Sequence, residues 1–116
     1  METFRFRRFK VYQDAKRYNQ RIFRIAKNFP RDVRSQLIRC SLSVVLNIAE
    51  GSAKKSDKDF NRYIENSLGS VNETVACLEI AYDINEINAQ ELSELIKIAE
   101  EIAKQLGGLS KRLKSS

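Results

Sequence analysis

Residues 41–60 read SLSVVLNIAEGSAKKSDKDF. The first part is almost wholly apolar and is the end of a helix. Gly51 is its stop signal, because Gly takes the left-handed cap conformation at no steric cost. Ser56, with Asp59 three residues on, is the pattern of a helix start with a reciprocal cap. A helix end, a turn and a helix start make a helical hairpin. The rest of the chain reads as helices packed around it. The expectation is an all-α protein: an antiparallel up-and-down four-helix bundle, with residues 1–116 as one domain and residues 1–8 as a basic N-terminal arm.

Working back from the hairpin, its first helix spans residues 31–50. Val33, Leu37, Cys40, Ser41, Val44, Val45 and Ile48 form one face. Ile38, Leu42 and Leu46 form a second. A bundle of this size covers only about half of each helix, and an exposed Leu or Ile forgoes ~1.5–3 kcal/mol of burial. The second face is therefore expected at a subunit interface. The alternative is a helix central in an irregular monomer. Asn47, the one strongly polar side chain there, is expected to be bonded and to fix register between helices.

Further back, residues 9–28 form another helix. Tyr12, Ala15, Asn19, Ile22, Ala26 and Phe29 recur at spacings of three and four, one helical stripe. Lys16, Arg17, Arg21, Arg24 and Lys27 make its outside positive. Pro30 ends it. In the arm, Phe4, Phe6 and Phe9 alternate with Arg5, Arg7, Arg8 and Lys10. The Phe rings are expected to dock on the bundle and the Arg side chains to face solvent. The competing reading is an aromatic and basic tail that meets nucleic acid by stacking and charge.

Forward of the hairpin turn, Lys54 and Lys55 sit beside the free N–H groups of the next helix. Lys58 and Arg62 follow. This is either a phosphate site or a solvated basic turn. The helix runs over residues 57–84, with Phe60, Ile64, Ser67 or Leu68, Val71, Val75, Leu78 and Tyr82 on one face. Ser67, Gly69 and Ser70 mark a tight crossing with the preceding helix or with a neighbouring subunit, since small residues in a helix interior suit a close neighbouring backbone. Residues 85–89 break the pattern. Asn88 with Glu91 starts a last helix that runs to about residue 105, and Gly107-Gly108 break or kink it. Leu109 and Leu113 continue its spacing, and Lys111, Arg112 and Lys114 suit a helix C-terminus.

Composition narrows the function. The net charge is +6, and it is unevenly spread: residues 1–64 hold 16 Lys/Arg and 6 Asp/Glu, residues 65–116 hold 5 and 9. A basic half joined to an acidic half points to a polyanion partner, or to complementary faces that meet in an oligomer. There is no His, which removes the commonest general base and metal ligand. No nucleophile–base spacing or phosphate-binding glycine loop is present, so no catalytic residue, metal or cofactor is expected. Cys40 and Cys77 lie in apolar patterns and read as free buried thiols. No apolar run approaches the ~20 residues of a membrane span, and no secretory signal opens the chain. A reducing cytoplasm is expected.

Several runs together resemble a known family. They are Val11-Tyr12-Gln13-Asp14-Ala15, Phe29-Pro30, and Arg39 through Gly51 ending Asn47-Ile48-Ala49-Glu50-Gly51, followed by Ser56, Phe60 and Leu68-Gly69-Ser70. The chain resembles, over residues 9–84, the bacterial four-helix-bundle proteins encoded within intervening sequences of large-subunit ribosomal RNA genes. These are similar to the accessory variability protein of diversity-generating retroelements. It departs from them at Tyr12, where Trp is usual, and at Val44-Val45-Leu46, where Ile-Pro-Ser is usual. Val45 removes the cause of a kink, and Leu46 enlarges the apolar face. The resemblance implies a bundle that assembles as a ring of five, binds RNA or DNA through positive surface and, in retroelements, contacts a reverse transcriptase. It implies no enzyme.

The expected function is thus a non-catalytic oligomeric nucleic-acid-binding protein using a basic surface, with an accessory role to a reverse transcriptase or to ribosomal RNA as the reading the resemblance adds. The contact residues are expected to be Arg5, Arg7, Arg8, Lys10, Lys16, Arg17, Arg21, Arg24, Lys54, Lys55 and Lys58. The alternative is a protein-interaction scaffold whose basic face docks an acidic protein, with no direct nucleic-acid role.

Overall fold

A computed structural model describes residues 2–115. After a 3-10 turn at Arg5–Arg8 come four helices: α1 (Lys10–Ile25), α2 (Arg31–Ser52), α3 (Asp57–Asp83) and α4 (Ala89–Lys114). No strand occurs among the described residues. The helices run up and down and lie beside one another in chain order, with α4 returning to α1. This is the expected four-helix bundle.

Each helix buries one stripe. In α1 it is Val11, Ala15, Tyr18 and Ile22, so Tyr18 rather than Tyr12 is the deeply buried ring. Leu37, Val44 and Ile48 of α2, Ile64 and Leu78 of α3, and Leu95, Ile102 and Leu106 of α4 are all within 1 % of full burial. Each stabilises the fold by about 1.5–3 kcal/mol relative to exposure. Cys40 and Cys77 are free and buried, as expected. Burial pushes the Cys40 thiol up to about 11, which keeps it protonated and slow to react.

The helix ends follow local chemistry. Ser56 Oγ accepts from Asp59 N–H at 3.1 Å. Asp59 does not return the bond; its short carboxylate faces Arg62 at 3.6 Å instead. At α4 the cap is reciprocal: Asn88 Oδ1 accepts from Glu91 N–H at 2.8 Å, and Glu91 Oε1 accepts from Asn88 N–H at 3.1 Å. Between them, Asn85 at φ 66° ends α3 in the left-handed conformation. Glu86 N–H then reaches back to the Ala81 carbonyl at 2.9 Å, and buried Ile87 follows.

The glycines differ from expectation. Gly51 is not a cap. It lies inside α2, which ends two residues later at Ala53 without a left-handed residue. A Cβ built on Gly51 would lie 2.7 Å from Tyr63 Cβ and 3.0 Å from Phe60 Cδ1. Its role is to let α3 approach. Gly69, expected at a tight crossing, faces open space, as do Gly107 and Gly108. α4 runs through that pair unbroken to Lys114.

The crossing itself is made by hydroxyls. Ser67 Oγ donates to the Val44 carbonyl at 2.8 Å, and Ser70 Oγ to Ser43 Oγ at 2.9 Å. Asn47 is bonded, as expected, but within its own helix. Its Nδ2 donates to the Ser43 carbonyl and hydroxyl, four residues back in its own helix, at 2.9 and 3.0 Å. It reaches α3 only through the Ser43 hydroxyl.

Candidate nucleic-acid interface

An antiparallel bundle of four helices puts the start of α1, the α2–α3 turn and the end of α4 at one end. Each of these segments is basic. The arm is pinned there: Arg5 Nε donates to the Ser52 carbonyl at 3.0 Å, and the Arg5 guanidinium lies 5.2 Å from the Phe60 ring centre. Phe9 stacks on Phe60 with ring centres 6.4 Å apart, and Phe6 meets Tyr12 edge-on at 4.8 Å. Docking of the Phe rings therefore holds for Phe6 and Phe9, both half-buried. Phe4 does not dock and stays exposed.

Three shallow grooves mark this end. One is lined by Arg7, Arg8, Tyr12, Gln13 and Lys16 together with Glu2. A second lies between the arm and the end of α2, with Phe4, Arg5, Arg8, Ala49, Ala53 and Lys54 along it. A third joins Phe9, Lys10 and Val11 of the α1 start to Gln105, Leu109 and Arg112 of α4. The third groove matters because it brings Lys111, Arg112 and Lys114 to the same end as the arm. The contact residues expected from sequence leave out these three and Arg62. For the three in α4 the one available signal is the run of basic residues in its last turn; Arg62 is legible beside Lys58 as part of the basic turn.

The expected contact residues divide into two groups. Arg5, Arg7, Arg8, Lys10, Lys16, Lys54, Lys55 and Lys58 cluster at the basic end. Arg17, Arg21 and Arg24 run away from it along α1. Arg17 is paired with Asp14 at 2.7 Å and Arg21 with Glu94 at 2.8 Å. Lys10 also pairs with Asp14, at 2.7 Å, and Arg8 with Glu2. These ion pairs have consequences for the acids. Lys10, then Gln105 and Arg17, hold the Asp14 carboxyl below the usual range against the opposing effect of burial. Arg21 does the same for Glu94.

The α2–α3 turn offers an anion its lysines rather than its helix end. The first turn of α3 carries its own anions, Asp57 and Asp59, which already complement the helix dipole. Lys54 Nζ lies 4.9 Å from the Tyr63 ring centre, an arrangement that orients the ammonium. Ile38, Leu42 and Leu46 lie elsewhere, on the outer side of α2. Leu42 and Leu46 are exposed and Ile38 is half-buried.

Among the described residues, no three His, Cys, Asp or Glu side chains converge as a metal-binding group. No described helix is long and apolar enough to cross a membrane.

A family model described as "23S rRNA-intervening sequence protein" matches residues 7–108. Among solved structures, the chain is similar to a protein from Bacteroides thetaiotaomicron VPI-5482, described as one with unknown function from the S23 ribosomal protein family. The TM-score is 0.80 at 24 % identity, covering 87 % of this chain and 98 % of that one. At that identity the likeness speaks for the fold. No curated protein gives a significant match.

Proposed function

This chain belongs to the 23S rRNA-intervening sequence protein family, and from that premise we propose that it is a non-catalytic, self-associating protein of the cytoplasm that holds RNA or DNA by its phosphates. The observation that carries the reading is the convergence of cations from four separate segments at one end of the bundle: the arm, the α1 start, the α2–α3 turn and the last turns of α4. Most of these side chains are exposed. Such a surface neutralises phosphates and releases counterions with little reading of base sequence. Self-association through Ile38, Leu42 and Leu46 removes apolar surface from water and multiplies the field. The ring of five that the family resemblance implies would carry five times the +6 of one chain. Contact with a reverse transcriptase belongs to the same resemblance and would use this surface or its rim.

The test is a salt titration of binding to single- and double-stranded RNA and DNA. Affinity should fall steeply as salt rises. Replacing Arg7, Arg8, Lys111 and Arg112 by Gln should weaken binding to every sequence. It should also reduce the salt slope by roughly one for each phosphate that is no longer neutralised. Salt-independent binding, or a variant that binds like the parent, would refute the reading. Recovery of an acidic protein and no nucleic acid after nuclease treatment would favour the scaffold instead.

A further inference from the structure

Phe4 is the one ring of the arm that the fold leaves in water, at 57 % exposure. A single exposed apolar side chain is ordinary, but this one is held in place. Arg7 N–H donates to the Phe4 carbonyl at 3.2 Å, and Phe9 N–H to the Phe6 carbonyl at 3.0 Å. Gln13 Nε2 donates to the Arg7 carbonyl at 2.7 Å, and Arg5 ties the same turn to Ser52. The ring is propped as well. Phe4 and Phe6 lie T-shaped with centres 6.4 Å apart, and Phe6 in turn meets Tyr12. A T-shaped contact uses at most one face of the Phe4 ring. Little ordering remains to oppose a flat partner that stacks on the other.

Phe4 also lines the groove of about 730 Å³ between the arm and the end of α2. Ala49 and Ala53 leave room there, and Arg5, Arg8 and Lys54 supply positive charge. The one acid in the lining is Glu2, which pairs with Arg8. Arg5 is engaged with Ser52 and Phe60. Lys54, and Arg8 in exchange for Glu2, are therefore the cations open to an anion.

We propose that this groove takes an unpaired nucleotide, with its base stacked on Phe4 and its flanking phosphates at Arg8 and Lys54. The proposal rests on the phosphate-binding reading above and adds the form of nucleic acid that the basic end prefers. In a duplex each base is covered by its neighbours, and unstacking a step is costly. A single strand presents free base faces. Every base has such a face, so stacking adds affinity without reading sequence. Phosphate contacts alone favour the duplex, whose charge is denser; the ring shifts the balance toward the single strand.

The experiment compares three end-labelled probes at one salt concentration: single-stranded oligothymidine, the same strand in duplex, and a strand of equal length without bases. Phe4→Leu keeps apolar bulk and removes the ring face. It should bind the single strand about five- to a hundredfold more weakly than the parent, and the other two probes as the parent does. Its salt slope should not change, because no phosphate contact is lost. If Phe4 serves only to hold the arm, the loss would reach all three probes and lower the slope, and the proposal would fall. Phe4→Trp restores the platform and should bind the single strand at least as tightly as the parent. The chain has no Trp, so the new indole is its sole source of Trp emission. The base-bearing strand should quench that emission and the baseless strand should not. Parental single-strand binding by Phe4→Leu, or equal quenching by both strands, would overturn the proposal. Circular dichroism checks that the helices are intact. Salt-dependent binding that ignores Phe4 would remove the stacked base and spare the basic end; no salt-dependent binding to any probe would remove both.

Discussion

The α2–α3 seam and the α1–α4 seam belong to the same bundle and close in different ways. Along α2–α3 the facing residues are small. Gly51, Ser67, Ser70 and Thr74 let the backbones approach, and their hydroxyls bond across or back to carbonyls. Along α1–α4 long side chains reach across instead. The seam is tied at three points: Tyr18 hydroxyl to the Leu95 carbonyl at 3.0 Å, Arg21 to Glu94, and Gln105 to Asp14 at 2.8 Å. Between the ties lies an open groove of about 520 Å³ with Tyr18, Ile98 and Ile102 on its floor. Side-chain size at the crossing thus sets the closeness of two helices, and polar ties set only their alignment.

The α2–α3 seam is most readily disturbed at Gly51. Alanine there gains about 1 kcal/mol of helix propensity, but its Cβ would crowd Tyr63 and Phe60, and overpacking costs ~1–3 kcal/mol. The expected net result for Gly51→Ala is a loss of about 0–2 kcal/mol in urea denaturation. The matched control is Gly108→Ala, which meets nothing within 4 Å and should gain ~0.5–1 kcal/mol. Equal responses at the two sites would mean the α2–α3 seam is not tight.

Tyr18→Phe probes the other seam. It removes one buried tie and keeps the ring, so the expected loss is about 1 kcal/mol. A loss several times larger in the same denaturation would show that this seam depends on its ties more than its open groove implies.

The smallest effect is acid sensitivity at Asp14. Its folded pKa lies below the ordinary 3.8 because of Lys10, Gln105 and Arg17. A depressed carboxyl contributes stability that is complete above the unfolded value and is lost as pH falls through the folded one. Asp14→Asn should therefore flatten the stability profile below about pH 4 and leave its alkaline side unchanged. An unaltered acid limb would show that the Asp14 cluster adds nothing.

Much of this was legible in the chain itself, and the reasons for the rest are physical. Ser56 and Asn88 announce helix starts because a cap is a local bond between residues three apart. The stripes announce the core because burial repeats with the helix. Glycine is ambiguous: Gly51, Gly69 and Gly107 look alike in sequence, yet one accommodates a crossing helix and two face open space. Only the neighbour decides, and the neighbour is distant in the chain. Asn47 shows the same limit, since whether its amide turns inward or along its own helix depends on where Ser43 and Ser70 meet. The basic end was half visible. The arm and the α2–α3 turn declared themselves, while Lys111, Arg112 and Lys114 join them only because α4 runs back toward the start of α1.

That return of α4 has a practical consequence. Glu2 and Ser115, the first and last described residues, both emerge at the cationic end. A purification tag or fluorophore attached at either terminus would sit within the field that a binding assay measures, and a polyhistidine tail would add charge of its own. A label on the opposite side, in the turn between Asn85 and Asn88, would be a quieter reporter.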